Sequence, residues 1–205
     1  DYVVFSDIWG ANILNDGVLS AAELGNRNEI VSLIQDESRS FIEEEALAAG
    51  GDLDGDGLNE LLLGKPGVRS YLGKTYIVTA SALLQAKTNG SDILLSELAA
   101  KGQGISINGT QGSTVTGQSL AGLGDLNGDN LGDIAIGAPN YDEFSVNTGL
   151  AIVISGADIN SAIQSGTNLD WDGIRLSGNT SDLIGTSLFA TKVMATAGDI
   201  DRDGK

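Results

Sequence analysis

Three short acidic runs hold the residues whose types and spacing could do chemistry. They are Gly51-Asp52-Leu53-Asp54-Gly55-Asp56-Gly57, Gly124-Asp125-Leu126-Asn127-Gly128-Asp129-Asn130 and Gly198-Asp199-Ile200-Asp201-Arg202-Asp203-Gly204. Each run places oxygen-bearing side chains at alternate positions. Oxygens at the first, third and fifth positions turn inward if the backbone curls around a central ion. A sixth residue tolerant of positive φ permits the curl; Gly57 does so freely, and Asn130 more readily than most side chains. The seventh residue offers a main-chain carbonyl and the ninth a further carboxylate. The first candidate set is Asp52, Asp54, Asp56, Leu58 through its carbonyl, and Glu60. The second is Asp125, Asn127, Asp129, the carbonyl of Leu131, and Asp133. The third is Asp199, Asp201, Asp203 and the carbonyl of Lys205. Calcium is the cation for such sets, since it accepts about six to eight hard oxygens in flexible geometry.

These runs are not EF-hands, which need a bidentate Glu at the twelfth position and an exit into a helix. The twelfth residue here is Leu63 or Ile136, and the exits Leu61-Leu62-Leu63-Gly64 and Ile134-Ala135-Ile136-Gly137 read as strands. Each loop must therefore join two strands of a hairpin. Asp, Asn and Gly also cluster in plain turns, but a turn needs no acid at every second position.

The loops recur because the chain repeats. Asp52, Asp125 and Asp199 are spaced 73 and 74 apart, and the two prolines, Pro66 and Pro139, 73 apart. Tyr2-Val3-Val4, Tyr76-Ile77-Val78 and Ala151-Ile152-Val153 keep intervals of 74 and 75. Val31-Ser32-Leu33 and Ile105-Ser106-Ile107 are 74 apart, with Ile174-Arg175-Leu176 in the corresponding later place. A period of this size marks a repeat architecture. The expected division is 1–33 as the end of a preceding repeat, 34–107 and 108–177 as full repeats, and 178–205 as a truncated one. Within the middle copy four strands are expected near 116–121, 133–137, 149–155 and 173–177. A polar segment around Ala157–Ile163 should add one or two helical turns. Four strands per repeat fit a propeller blade better than a solenoid coil.

Composition narrows the function. Eleven Lys and Arg against 28 Asp and Glu give a formal charge of −17, which repels phosphate backbones and argues against nucleic acid. The absence of Cys and His removes thiolate and imidazole nucleophiles, the Ser-His-Asp triad and ordinary zinc sites. No run is long and apolar enough to insert in a membrane. The first residues read as a strand and the last stop inside a loop, so both ends look cut.

The chain resembles the FG-GAP repeat, the blade unit of the integrin α-subunit propeller and of many bacterial surface proteins. Gly137-Ala138-Pro139 carries the resemblance, with Gly64-Lys65-Pro66 one substitution away, Ile184-Gly185 and Val115-Thr116-Gly117 for the leading pair, and the acidic hairpins. It departs in two ways. Glu60 stands where the family has Asp, and Phe41-Ile42-Glu43-Glu44-Glu45 lacks the glycine, which predicts a distorted inner strand. The resemblance implies an all-β propeller of four-stranded antiparallel blades, of which this chain is a fragment. It also implies Ca2+ stiffening hairpins between first and second strands, and ligand display by loops on the opposite face. The expectation is a non-enzymatic adhesion module, extracellular or at the cell surface, with a protein or carbohydrate partner of unknown identity. The rest of the ring would come from a longer parent chain or from other chains. A carbohydrate-binding lectin on the same fold is the alternative, and a calcium-requiring polysaccharide-degrading enzyme a further one.

Other signals carry less. Asp36-Glu37-Ser38-Arg39-Ser40 has the spacing of a metal-dependent adhesion site but lacks its strand-to-helix context. Asn12 to Glu23 faintly resembles an EF-hand loop, with Leu14 in a ligand position. The triplets beginning at Asn89, Asn108 and Asn179 matter only in a secretory host. Trp9 and Trp171 do not recur at the repeat period and default to packing.

Overall fold

The computed structural model describes residues 2–5, 30–34, 46–109, 114–141, 149–170 and 173–177. Alternating and β-branched runs become short strands, and Asp/Gly-rich runs become the turns between them. Two meanders dominate. The first is β3 (Ala46–Ala49), β4 (Leu61–Lys65), β5 (Lys74–Val78) and β7 (Gly104–Asn108), all antiparallel. The second is β8 (Ser119–Gly124), β9 (Asp133–Ala138), β10 (Leu150–Ile154) and β12 (Ile174–Ser177), likewise antiparallel. Ahead of them β1 (Tyr2–Phe5) pairs with β2 (Ile30–Ile34), the two strands that correspond to the third and fourth of a meander. The acidic hairpins therefore join first to second strands, and Pro66 and Pro139 each follow the end of a second strand, where a residue without N–H costs no ladder bond.

Between third and fourth strands each repeat carries an insert. In the earlier repeat it is α2 (Ala80–Asn89) and β6 (Ile93–Leu94); in the later one it is α3 (Gly156–Ser165) and β11 (Leu169–Asp170). A single turn, α1 (Val68–Tyr71), precedes β5. Both insert helices run for ten residues, longer than the one or two turns expected from the polar segment. The reason is their punctuation. Thr79 and Ser155 cap the first turns by accepting from Ala82 N–H and Asp158 N–H, and Gly90 and Gly166 stop the helices at φ 60° and 65°. The short insert strands were not expected. Each crosses over and pairs in parallel with the fourth strand of the preceding repeat: Ile93 and Leu94 with Leu33 and Ile34, and Leu169 and Asp170 with Ile107 and Asn108.

The sheets stack face to face around two apolar clusters. Val31 and Leu33 of β2 pack with Leu63, Tyr76 and Val78, together with Ala82, Ala86 and Ile93 of the insert. Leu62, Ile77, Ile105 and Ile107 point to the other side of the same sheet and join Ile134, Ile136, Ile152 and Ile154, with Ile159 and Ala162 of α3. Successive residues of one strand thus feed different cores, which is why Leu61-Leu62-Leu63 shows no polar alternation.

Two details of register differ from the sequence alignment. Cross-strand partners equate Val4, Ile77 and Val153, which face Val31, Ile105 and Ile174. The middle triplet is therefore displaced by one residue from its aligned position. Tyr76-Ile77-Val78 is apolar throughout, so its pattern does not fix which residue faces which core. The first strand of the later repeat begins at Ser119, not at residue 116, because Gly117 takes φ 87° and turns the chain. That turn lets the two sheets touch: a Cβ on Gly64 would collide with the carbonyl oxygen of Gly117 and lie 2.9 Å from its carbon. Gly64→Ala is expected to lower unfolding free energy by about 1–3 kcal/mol through overpacking, read as a lower urea midpoint at unchanged slope.

Candidate metal-binding hairpins

Each hairpin is built by its own acids. In the earlier one Asp52 accepts from Gly55 N–H at 2.7 Å and Gly57 N–H at 3.0 Å through its two carboxylate oxygens. Asp54 accepts from Asp56 N–H at 3.1 Å, and Asp56 from Leu58 N–H at 2.8 Å. The later hairpin repeats the pattern. Asp125 accepts from Gly128 N–H at 2.7 Å and Asn130 N–H at 2.8 Å, Asn127 from Asp129 N–H at 2.9 Å, and Asp129 from Leu131 N–H at 2.9 Å. The curl requires left-handed residues at the fourth and sixth positions: Gly55 and Gly57 at φ 83° and 86°, Gly128 and Asn130 at 80° and 69°. Asn130 thus adopts the conformation its sequence position asks for. The need at the fourth position was not foreseen.

The ninth residue behaves differently from the other acids. Glu60 and Asp133 are buried, and both oxygens of each carboxylate accept main-chain N–H groups. Glu60 accepts from Leu53 at 2.6 Å and from Ala80, the first residue of α2, at 3.3 Å. Asp133 accepts from Leu126 at 2.8 Å and from Gly156, the first residue of α3, at 2.9 Å. A carboxylate at a helix N-terminus also meets the positive end of the helix dipole. Nothing in the spacing of 60 to 80 or 133 to 156 signalled this link. Glu60 spans it with one more methylene than Asp133, and this is the structural place of the substitution noted at that position.

Asp52, Asp54 and Glu60 bring carboxylate oxygens within 4.8 Å of one another, a group that could hold a metal ion. Asp56 lies outside that group and is exposed, and the Leu58 side chain is exposed as well. Crowding shows in the acidities. Burial, above all, pushes the Glu60 carboxyl up to about 7; the Leu53 and Ala80 N–H groups oppose this, and the Asp54 and Asp56 charges add to the rise. Asp54 is also held above its ordinary value, chiefly by burial, with Asp56 and Asp52 adding repulsion. A divalent cation among these oxygens would act against both pressures. The donors are all hard oxygens, so the residues present fit Ca2+.

Neighbouring hairpins touch. Gly132 N–H donates to the Asp52 carbonyl at 2.6 Å, and the Gly132 backbone lies against Gly50 and Gly51. Asp199, Asp201, Asp203 and Lys205 of the third run lie outside the described residues, as do Phe41–Glu45, Asp36–Ser40, Asn12–Glu23, Trp9, Trp171 and Ile184-Gly185.

Stacked four-stranded antiparallel meanders, each with its acidic hairpin between first and second strands, define blades of a β-propeller. The FG-GAP repeat family matches this chain at residues 45–78 and 116–154, each stretch running from the first strand through the hairpin to the third strand. Each matched stretch lies on one of the two meanders, so the blades and the family matches coincide. Both matches stop just before the insert helices. No curated protein matches the chain.

The tie to the helix start gives a direct test. Asp133→Asn leaves only one acceptor oxygen for the N–H groups of Leu126 and Gly156. It should cost about 1–3 kcal/mol in urea unfolding with chelator present, where cation binding contributes nothing.

Proposed function

We propose that this chain is a non-enzymatic scaffold segment of an extracellular or cell-surface propeller, in which Ca2+ stiffens the hairpins on one face of the disc. The observation that carries the reading is the repeated hairpin. Two loops 73 residues apart share the same acid-to-backbone bonds and the same left-handed positions, although their sequences differ at Asp54/Asn127, Gly57/Asn130, Asn59/Gly132 and Glu60/Asp133. The ligands would be Asp52, Asp54, Asp56, the Leu58 carbonyl and Glu60 in one, and Asp125, Asn127, Asp129, the Leu131 carbonyl and Asp133 in the other. Asp199, Asp201, Asp203 and the Lys205 carbonyl would form a third.

Extracellular modules of this kind bind calcium at about 10⁻⁴–10⁻³ M, so millimolar calcium outside cells fills them and cytosolic calcium does not. Among the described residues no helix is long and apolar enough to cross a membrane. Ligand display falls to the connections at the far ends of the strands, after Lys65 and Ala138, away from the hairpins. Repeat boundaries at 33/34, 107/108 and 177/178 belong to the same proposal, as does completion of the ring by further repeats.

A second reading, carbohydrate binding, has one observation in its favour. A groove of about 470 Å³ beside α3 is lined by Asp158, Ser161, Ser165, Thr167 and Asp170 over an apolar floor including Leu169. Carboxylates and hydroxyls over such a floor suit a sugar ring, and binding on a glycan array would favour it.

Calorimetric titration of calcium into the chelated protein should show two or three sites, one of them lost in Asp125→Ala. At ten times Kd each filled site adds about 1.4 kcal/mol of stability, so excess EGTA should lower the melting temperature. Absence of heat together with an unchanged melting curve would reduce the hairpins to ordinary turns.

A further inference from the structure

The inserts follow one rule, and among the described residues the blade ending in β12 is left without its share of it. In the two instances seen, a short strand pairs in parallel with the fourth strand of the blade before it, opposite Leu33 in β2 and Ile107 in β7. The preceding helix covers the same strand: Ala82 and Ala86 of α2 share a core with Val31 and Leu33, and Ile159 and Ala162 of α3 share one with Ile105 and Ile107. Cross-strand register equates Leu33, Ile107 and Leu176, which face Tyr2, Thr75 and Ala151. The same register equates Val31, Ile105 and Ile174.

Burial separates the third member from the other two. Val31, Leu33, Ile105 and Ile107 are 0–3% exposed, whereas Ile174 is 69% and Leu176 55% exposed. Among the described residues, no strand lies on the outer edge of β12. An apolar pair on an open strand edge is a template for strand addition.

We propose that β12 is the receptor edge for the helix–strand insert of a further repeat of this kind. Its short strand would run parallel to β12, with one residue opposite Leu176 and the next opposite Ser177, and its capped helix would cover Ile174 and Leu176. The occupant's chemistry is set by the two inserts already seated: a Ser or Thr cap, a helix of about three turns with a small or aliphatic inner stripe, a glycine stop and an apolar-led dipeptide strand. The proposal rests on the propeller reading but not on calcium.

The probe is a synthetic peptide of residues 79–95, which carries the α2–β6 insert, added to the full chain while amide exchange is followed strand by strand. Exchange in β12 should slow by about tenfold or more at millimolar peptide, approaching that of β7. Leu176→Asp should abolish the effect, while Leu84→Asp in the chain, on the exposed side of α2, should leave it intact. Unchanged β12 exchange in a chain that still binds calcium overturns the docking proposal and spares the propeller reading. Protection that persists in Leu176→Asp overturns it as well. Concentration-dependent protection without peptide, with dimers in sedimentation, would assign the edge to a second copy of this chain and overturn the proposed occupant.

Discussion

Glu60 and Asp133 each tie together three parts of a blade that lie far apart in sequence. The carboxylate sits at the start of the second strand, one oxygen gathers the N–H of the hairpin's second residue, and the other takes the first N–H of the insert helix. Charge-assisted bonds of this kind are stronger than neutral ones, and burial makes an unmet partner expensive. The hairpin, the second strand and the helix are thereby held in one geometry. Helix position in turn decides whether the following short strand can reach the preceding blade. Removing this tie would loosen the hairpin at one end of the blade and the inter-blade clasp at the other.

The inserts solve a problem that stacked meanders share. A fourth strand at the rim of a blade presents unpaired backbone groups to water and to other chains. Here the rim strands β2 and β7 are each paired along two residues by a neighbour's insert. The same inserts bring apolar side chains into both inter-blade cores, so a blade contributes to the burial of the one before it. The glycines at the junction are equally specific. Gly64 and Gly117 approach too closely for any Cβ, and Gly156 packs its Cα against the carbonyl of Gly132.

Much of this was legible in the residues. The period, the hairpins between first and second strands and the prolines at strand ends were all visible, because turn chemistry and β-branched runs act locally. The left-handed Asn130 was legible for the same reason. The one-residue register slip at Tyr76-Ile77-Val78 was not, since a strand buried on both faces has no polar alternation to fix its phase. Nor were Ile93-Leu94 and Leu169-Asp170 recognisable as strands. Two residues carry too little pattern, and their pairing partners lie about sixty residues upstream. The second duty of Glu60 and Asp133 was hidden by distance as well. Their type and spacing point to a cation, and only the folded chain brings Ala80 and Gly156 to their other oxygen.

The clasp also sets a timetable for the growing chain. Leu33 is sealed only when Ile93 arrives, some sixty residues later, and Ile107 waits similarly for Leu169. At about 5–20 residues per second, an apolar rim stays open for roughly 3–12 s before its cover is made. Each blade therefore leaves the ribosome unfinished, and the newest rim is always the one exposed. A formal charge of −17 gives neighbouring nascent chains a like-charge repulsion that opposes contact between two such unfinished rims.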